Sequence, residues 1–172
     1  MRYLGGKHRL AKKIAEIVHS IPHTAYYEPF LGSAAVLERI ETPVRIASDV
    51  DSDLIAFWQA VKAGWIPPDN LSKPAYLWAK ANQHRVTPYL RGFIGFFCSY
   101  GGKKWGGYAQ GEGRNFADEA RRGALKRAPY IKSAAILEMS YQSLTPWLTD
   151  GALIYCDPPY ANTTGYTHKI RQ

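Results

Sequence analysis

Short strand-like runs alternate with helix-period segments through the first third of the chain, and this alternation limits the fold more than any other feature. Residues 24–30 (TAYYEPF) are brief, aromatic and β-prone, and they end at Pro29. A glycine turn, Leu31-Gly32-Ser33-Ala34-Ala35, follows and predicts a helix to about Ile40, with Ser33 as its N-cap. Residues 43–48 (PVRIAS) form a second strand that ends at Asp49. A helix from about Ser52 to Ala63 comes next and stops at Gly64. Strand–helix–strand–helix order implies parallel strands, because a short hairpin joins only antiparallel ones; the fold class is α/β. Before the first strand, residues 8–19 (HRLAKKIAEIVH) set Leu10, Ile14, Ile17 and Val18 on one helical face.

The rhythm breaks between residues 65 and 132. This stretch holds Pro67, Pro68, Pro74, Pro88 and Pro129 and a glycine-aromatic-basic run from Gly92 to Gly113. Helices are predicted at 74–84 and 115–127, so 65–132 reads as an inserted, mostly helical subdomain between an α/β part at 1–64 and a return to the sheet at 133–172. In that last part, residues 134–139 (AAILEM) and 152–156 (ALIYC) are strands, the latter apolar throughout as a central parallel strand should be.

Charge is distributed as unevenly as structure. The net charge is +8, yet residues 24–72 carry −4 while 1–23 carry +4 and 91–132 carry +6. Basic segments attract polyanions through phosphate contacts, although a solvated basic face gives the same count. Cys98 and Cys156 lie far apart with no repeated spacing, which fits neither a disulfide framework nor a zinc site. No stretch approaches the roughly 20 apolar residues of a membrane span, and the N-terminus lacks the apolar core of a signal peptide. The expectation is a cytosolic protein with no metal and no membrane partner.

Five segments can carry chemistry. The strongest is Ile154-Tyr155-Cys156-Asp157-Pro158-Pro159-Tyr160, an apolar strand running into an acid, two prolines and a ring. Open α/β sheets bind ligands at the carboxyl ends of their strands, so Asp157 sits at a site rim. Prolines fix φ and remove amide donors, leaving rigid carbonyls. A carboxylate beside such a carbonyl can accept both hydrogens of an exocyclic amine and localise its lone pair, while Tyr160 offers a stacking face. The second is Glu28-Pro29-Phe30-Leu31-Gly32-Ser33, a glycine turn that lets a ligand approach the backbone. The third is Asp49, an acid after the second strand, where a ribose is held in nucleotide-binding sheets; Asp51 or Ser52 suits the following helix cap better and leaves Asp49 for a ligand. The fourth is Tyr3-Leu4-Gly5-Gly6-Lys7, adjacent glycines with a cation at the mouth of the first helix. The fifth is Lys103-Lys104-Trp105 with Tyr108, Arg114, Asn115, Arg121 and Arg122, aromatics interleaved with bases as in nucleic-acid contacts.

In this order, RYLGGK, EPFLGSAAV, ASDVDSDLI, FIGFFCSYGGKKWGGYA and DPPY resemble the motifs of the Dam-type family of adenine-specific DNA methyltransferases. The resemblance implies a Rossmann-like methyltransferase sheet, S-adenosylmethionine as methyl donor, double-stranded DNA as partner, and base flipping before transfer to the adenine amine. By motif, it implies that Tyr3, Gly5, Gly6, Lys7, Glu28, Phe30, Gly32, Ser33, Asp49 and Asp157 face the cofactor and that Asp157, Pro158, Pro159 and Tyr160 are catalytic. Only twelve residues follow Tyr160, whereas the family continues with further strands. The sheet is therefore expected to be incomplete, with a truncated chain of little or no turnover alone. A methyltransferase for another amine, such as that of cytosine, and a non-catalytic remnant that only binds DNA or cofactor stay open as alternatives.

Overall fold

The computed structural model describes residues 1–159. Four parallel strands form one sheet in the order β3-β2-β1-β4, with β1 Ala25–Glu28, β2 Val44–Asp49, β3 Ala135–Glu138 and β4 Ala152–Ile154. In register, Tyr27 of β1 faces Ile46 of β2 on one side and Ile154 of β4 on the other. All four residues of β1 are buried, as expected for a strand flanked on both edges and covered on both faces. Its side chains alternate across the sheet. Tyr26 joins the main core, whereas Ala25 and Tyr27 join a smaller cluster with Leu144 on the opposite face.

The helices are α1 Ala11–Ser20, α2 Ser52–Lys62, α3 Lys73–Ala81, α4 Pro88–Gly92 and α5 Phe116–Ile131. Helix α2 starts where Asp51 accepts the amides of Asp53 and Leu54, a side-chain cap of the kind the sequence suggests. Ser72 caps α3 and Asn115 caps α5 in the same way. Leu54, Ile55, Phe57, Trp58 and Val61 of α2 bury one apolar face. Phe57 meets Phe93 and Phe97 at ring-centroid distances of 6.2 and 4.7 Å. The residues of 65–132 thus contribute to the same hydrophobic core as those of 1–64.

Two local expectations are corrected. The helix expected from Ser33 to Ile40 is absent, and only one 3-10 turn forms, at Leu37–Arg39. The reason is the backbone: Gly32 and Ala34 have φ of +48° and +55°, in the left-handed region from which a right-handed helix cannot propagate. Ser33 is accordingly no cap. The second correction lies at the start of the glycine-aromatic-basic run from Gly92 to Gly113, where the sequence predicts no helix. Its first residues continue α4 as a π-helical turn, Phe93–Phe97, that is wholly buried.

Candidate functional site

The strand order places a topological switch between β1 and β4, because β2 and β3 lie to one side of β1 and β4 to the other. A crevice at the carboxyl ends of such a strand pair is the common ligand position in open α/β sheets. A cavity of about 370 Å³ occupies that place. Glu28 ends β1, Asp49 ends β2, and Asp157 lies three residues beyond β4; all three carboxylates line the cavity.

Each carboxylate has its own surroundings. The two oxygens of Asp49 accept the amides of Gly32 (3.2 Å) and Asp51 (3.1 Å), so this acid ties the glycine turn to the start of α2. Burial raises its pKa, and the amide hydrogen bonds oppose the rise. Glu28 is only 3% exposed and accepts the Tyr26 hydroxyl at 2.9 Å. Burial, with nearby Asp157 adding to it, pushes its pKa up to about 8. Asp157 is held by the Lys7 ammonium at 2.6 Å, and Lys7 also donates to the Gly5 carbonyl. This ion pair joins the N-terminal motif to the last strand across the cavity.

The glycine turn is gripped from behind. The Trp58 indole N–H donates to the Gly32 carbonyl at 2.9 Å. In front, the Tyr3 ring lies where a side chain on Gly32 would project: a Cβ there would come within 2.8 Å of it. The left-handed backbone and the missing side chain are both required at this position.

All ten residues assigned to the cofactor by motif, Tyr3, Gly5, Gly6, Lys7, Glu28, Phe30, Gly32, Ser33, Asp49 and Asp157, line this one cavity. Of the residues assigned to catalysis, Asp157 and Pro159 line it and Pro158 lies between them; Tyr160 lies outside the described residues. Other lining residues escape the sequence reading, two aromatic ones among them. Phe96 comes from the π-helical turn and packs on Tyr3 at 5.4 Å. Tyr141 follows β3 and packs on Phe30 at 5.6 Å; applying the strand-end rule to β3 would have found it. Asp51, read from the sequence as a helix cap, and Tyr155, just beyond β4, line the cavity as well.

The eight residues assigned to DNA are dispersed, and most have partners. Lys103 is exposed at the cavity rim. Lys104, beside it, is largely buried, reaches Asp51 at 2.7 Å and Asp53 at 3.0 Å, and lies over the Phe96 ring. Trp105 packs on Tyr76, and the Tyr108 hydroxyl donates to the Leu71 carbonyl. Arg114 forms a two-pronged pair with Glu119, Arg122 reaches Asp118 at 2.9 Å, and Arg121 lies 3.9 Å from the same acid. Asn115 serves α5 as its cap and donates to the Asp69 carbonyl. Among the described residues there is no group of three potential metal ligands, and no helix is long and apolar enough to cross a membrane.

Sequence comparison supplies the context for this arrangement. DNA adenine methylase of Haemophilus influenzae is 29% identical over 205 residues, covering 96% of this chain and 67% of that protein. The retron Ec67 DNA adenine methylase of Escherichia coli is 23% identical, with 96% and 65% covered. DNA adenine methylase of Escherichia coli K12 is 22% identical, with 94% and 64% covered. The chain therefore spans about two thirds of the length of the curated relatives it matches. The profile of the D12 class N6 adenine-specific DNA methyltransferases matches residues 3–91, which run from the N-terminal motif through the glycine turn and Asp49 to α4. The chain belongs to the D12 class N6 adenine-specific DNA methyltransferase family.

Proposed function

We propose that this chain binds S-adenosylmethionine in the cavity at the switch between β1 and β4 and forms the catalytic wall of an enzyme that methylates the exocyclic amine of an adenine flipped out of duplex DNA. The observation that supports this best is the Lys7–Asp157 pair at 2.6 Å, which draws the DPPY acid to the cavity shared by the glycine turn and Asp49.

The cavity suits the cofactor in size and chemistry. Its volume lies within the roughly 300–1,000 Å³ of small-molecule sites. Asp49 spends one lone pair of each oxygen on backbone amides and retains others for ribose hydroxyls. Of the acids in the wall, Asp51 is offset by Lys104, Asp157 by Lys7, and Glu28 keeps its proton at neutral pH, which leaves Asp49 as the acid available to a cationic sulfonium. When bound, S-adenosylmethionine supplies an electrophilic methyl group.

The protein's part is to present the amine. The Asp157 carboxylate and the rigid Pro158 carbonyl accept the two N–H groups, and the amine lone pair is turned toward the methyl donor. Lys7 keeps the carboxylate from rotating away. A methylated amine would carry one proton too many, and the Asp157 carboxylate, already its hydrogen-bond acceptor, would take that proton and pass it to solvent. Base capture by Tyr160 stacking belongs to the same proposal, as does the assignment of residues 65–132 to target recognition. Base flipping is required because the amine is otherwise paired within the duplex.

Calorimetry with S-adenosylhomocysteine tests the cofactor site: the chain binds, and Asp49→Ala binds more weakly. Equal affinity removes Asp49 from the site, and no binding by the unsubstituted chain removes the cofactor reading. Transfer of labelled methyl to unmethylated duplex, by a version of the enzyme with the C-terminal strands restored, tests the catalytic reading. Asp157→Ala should lower the rate by on the order of 10²–10³, as for other preorganised groups at a reacting atom, while DNA binding survives. Label in cytosine instead of adenine would contradict the substrate assignment.

A further inference from the structure

The first eight residues form a strap between the cavity and α5, and a residue of α5 that does not line the cavity fastens it. At the cavity end, the Tyr3 ring lies against Phe96 and over Gly32, and Lys7 reaches Asp157. In the middle, the Leu4 amide donates to the Gly102 carbonyl at 3.1 Å, and a Cβ on Gly102 would come within 2.5 Å of the Tyr3 Cα. At the far end, the Arg2 guanidinium lies 4.6 Å over the ring of Phe116, the first residue of α5. Met1 packs against Gly123, where an added Cβ would meet the Met1 Cβ at 2.7 Å. A glycine inside a helix costs about 1 kcal/mol relative to alanine, and here the vacant side-chain space admits the strap.

Arg127, one turn beyond Gly123, is 5% exposed. Its guanidinium makes two hydrogen-bond contacts, Nη1 to the Gly123 carbonyl at 2.8 Å and Nη2 to the His8 Nδ1 at 3.1 Å, and pairs by charge with the Glu38 carboxylate, 3.2 Å from Nε but outside hydrogen-bond geometry. The His8 ring must accept, because a guanidinium has no acceptor. It does so as a neutral imidazole, since burial and the Arg127 charge bring its pKa down to about 4. His8 adjoins Lys7, and Glu38 lies in the 3-10 turn that follows the glycine turn. One fork thus fixes both segments that bring cofactor-facing residues to the cavity, and it does so from α5.

We infer that Arg127 is a positioning residue: by locking His8 and Glu38 onto α5 it holds the strap taut and keeps Lys7 on Asp157. Functional groups need supporting contacts that hold them to within roughly 0.5 Å, and a residue outside the cavity supplies them here. The consequence for function rests on the cofactor reading above; the mechanical part does not.

The experiment uses Arg127→Lys and Gly123→Ala in the full chain. Lysine keeps the positive charge beside Glu38 but lacks the planar fork that reaches the Gly123 carbonyl and the His8 ring together. Alanine at 123 improves helix propensity while pushing Met1 out. Amide exchange is followed at Leu4, bonded to Gly102, and at Ile55, bonded to Asp51 within α2, together with the side-chain ammonium signal of Lys7. In both variants, Leu4 exchange should rise about tenfold or more relative to Ile55, and the Lys7 signal should broaden or shift, as expected for a local opening. Parallel rises at Leu4 and Ile55 mean general destabilisation, and no rise means the strap is held otherwise; either overturns the inference. Affinity for S-adenosylhomocysteine should fall in the same variants. Unchanged affinity with a loosened strap overturns the positioning role. An unsubstituted chain that does not bind removes the cofactor reading, while the exchange and Lys7 measurements still decide the mechanical one.

Discussion

Lys103 and Lys104 are adjacent and chemically identical, yet their environments give them opposite consequences on substitution. Lys104 is largely buried between Asp51 and Asp53, and Asp53 also pairs with Arg91 at 2.7 Å. Replacing Lys104 with alanine leaves two buried carboxylates with one cation fewer, and breaking such a buried set costs about 3–5 kcal/mol. Lys103→Ala should change stability by less than about 0.5 kcal/mol, as an exposed substitution does. If Lys103 contacts a phosphate, its loss lowers the slope of log affinity for DNA against log salt by about 1. Urea denaturation and salt titration of the two variants check both halves; equal stability losses would refute the division. A run of two lysines beside a tryptophan reads as a single basic feature in the sequence. The acids that claim Lys104 stand some fifty residues earlier, and no local pattern links them. The cavity-lining residues named from the sequence were legible for the opposite reason, since each lies beside a strand end or a glycine turn that the local sequence announces.

Among the elements, strands β1 to β4 were legible because parallel central strands are short apolar runs with abrupt polar ends. Helix α1 was legible from its apolar spacing, and α2 from its acidic cap and its glycine stop. The segment after β1 was not, because Leu31-Gly32-Ser33-Ala34-Ala35 has helix-compatible composition while its conformation is imposed by tertiary contacts. Asp49 takes the Gly32 amide, and Trp58 takes the Gly32 carbonyl. The π-helical turn at Phe93–Phe97 was hidden for a related reason, since its apolar residues are chosen by the core they fill. The glycine turn should therefore depend on α2. Trp58→Phe removes the indole donor and orphans a buried carbonyl, which costs about 1–3 kcal/mol before any packing loss. It should also weaken S-adenosylhomocysteine binding in calorimetry at temperatures where the variant is folded. A variant that loses stability but keeps its affinity would show that Asp49 holds the turn without Trp58.

For the whole molecule, stability against pH reports how the carboxylate at the switch point was buried. In the folded chain Glu28 titrates near 8, whereas an ordinary glutamate titrates near 4.5. Between these values the folded state keeps a proton that the unfolded state has released, so stability falls as pH rises through this window. His8 acts in the opposite sense. Its pKa falls from 6.5 to about 4, so below 6.5 the unfolded state binds a proton that the folded state refuses, and stability is lost as pH falls. Burial raises Asp49 and lowers the Met1 amine, adding one further group to each side. The raw curve therefore mixes opposed contributions, and a single substitution separates them. Glu28→Gln keeps an oxygen to accept the Tyr26 hydroxyl but cannot ionise. The stability of the glutamine variant minus that of the unsubstituted chain should grow from pH 4.5 to pH 8, by at most about 1.4 kcal/mol per pH unit, and level off above. Thermal or urea denaturation at matched ionic strength measures this difference. A flat difference across the window would mean that Glu28 is ionised in the folded protein, with a cation or solvent reaching it at the wall of the cavity.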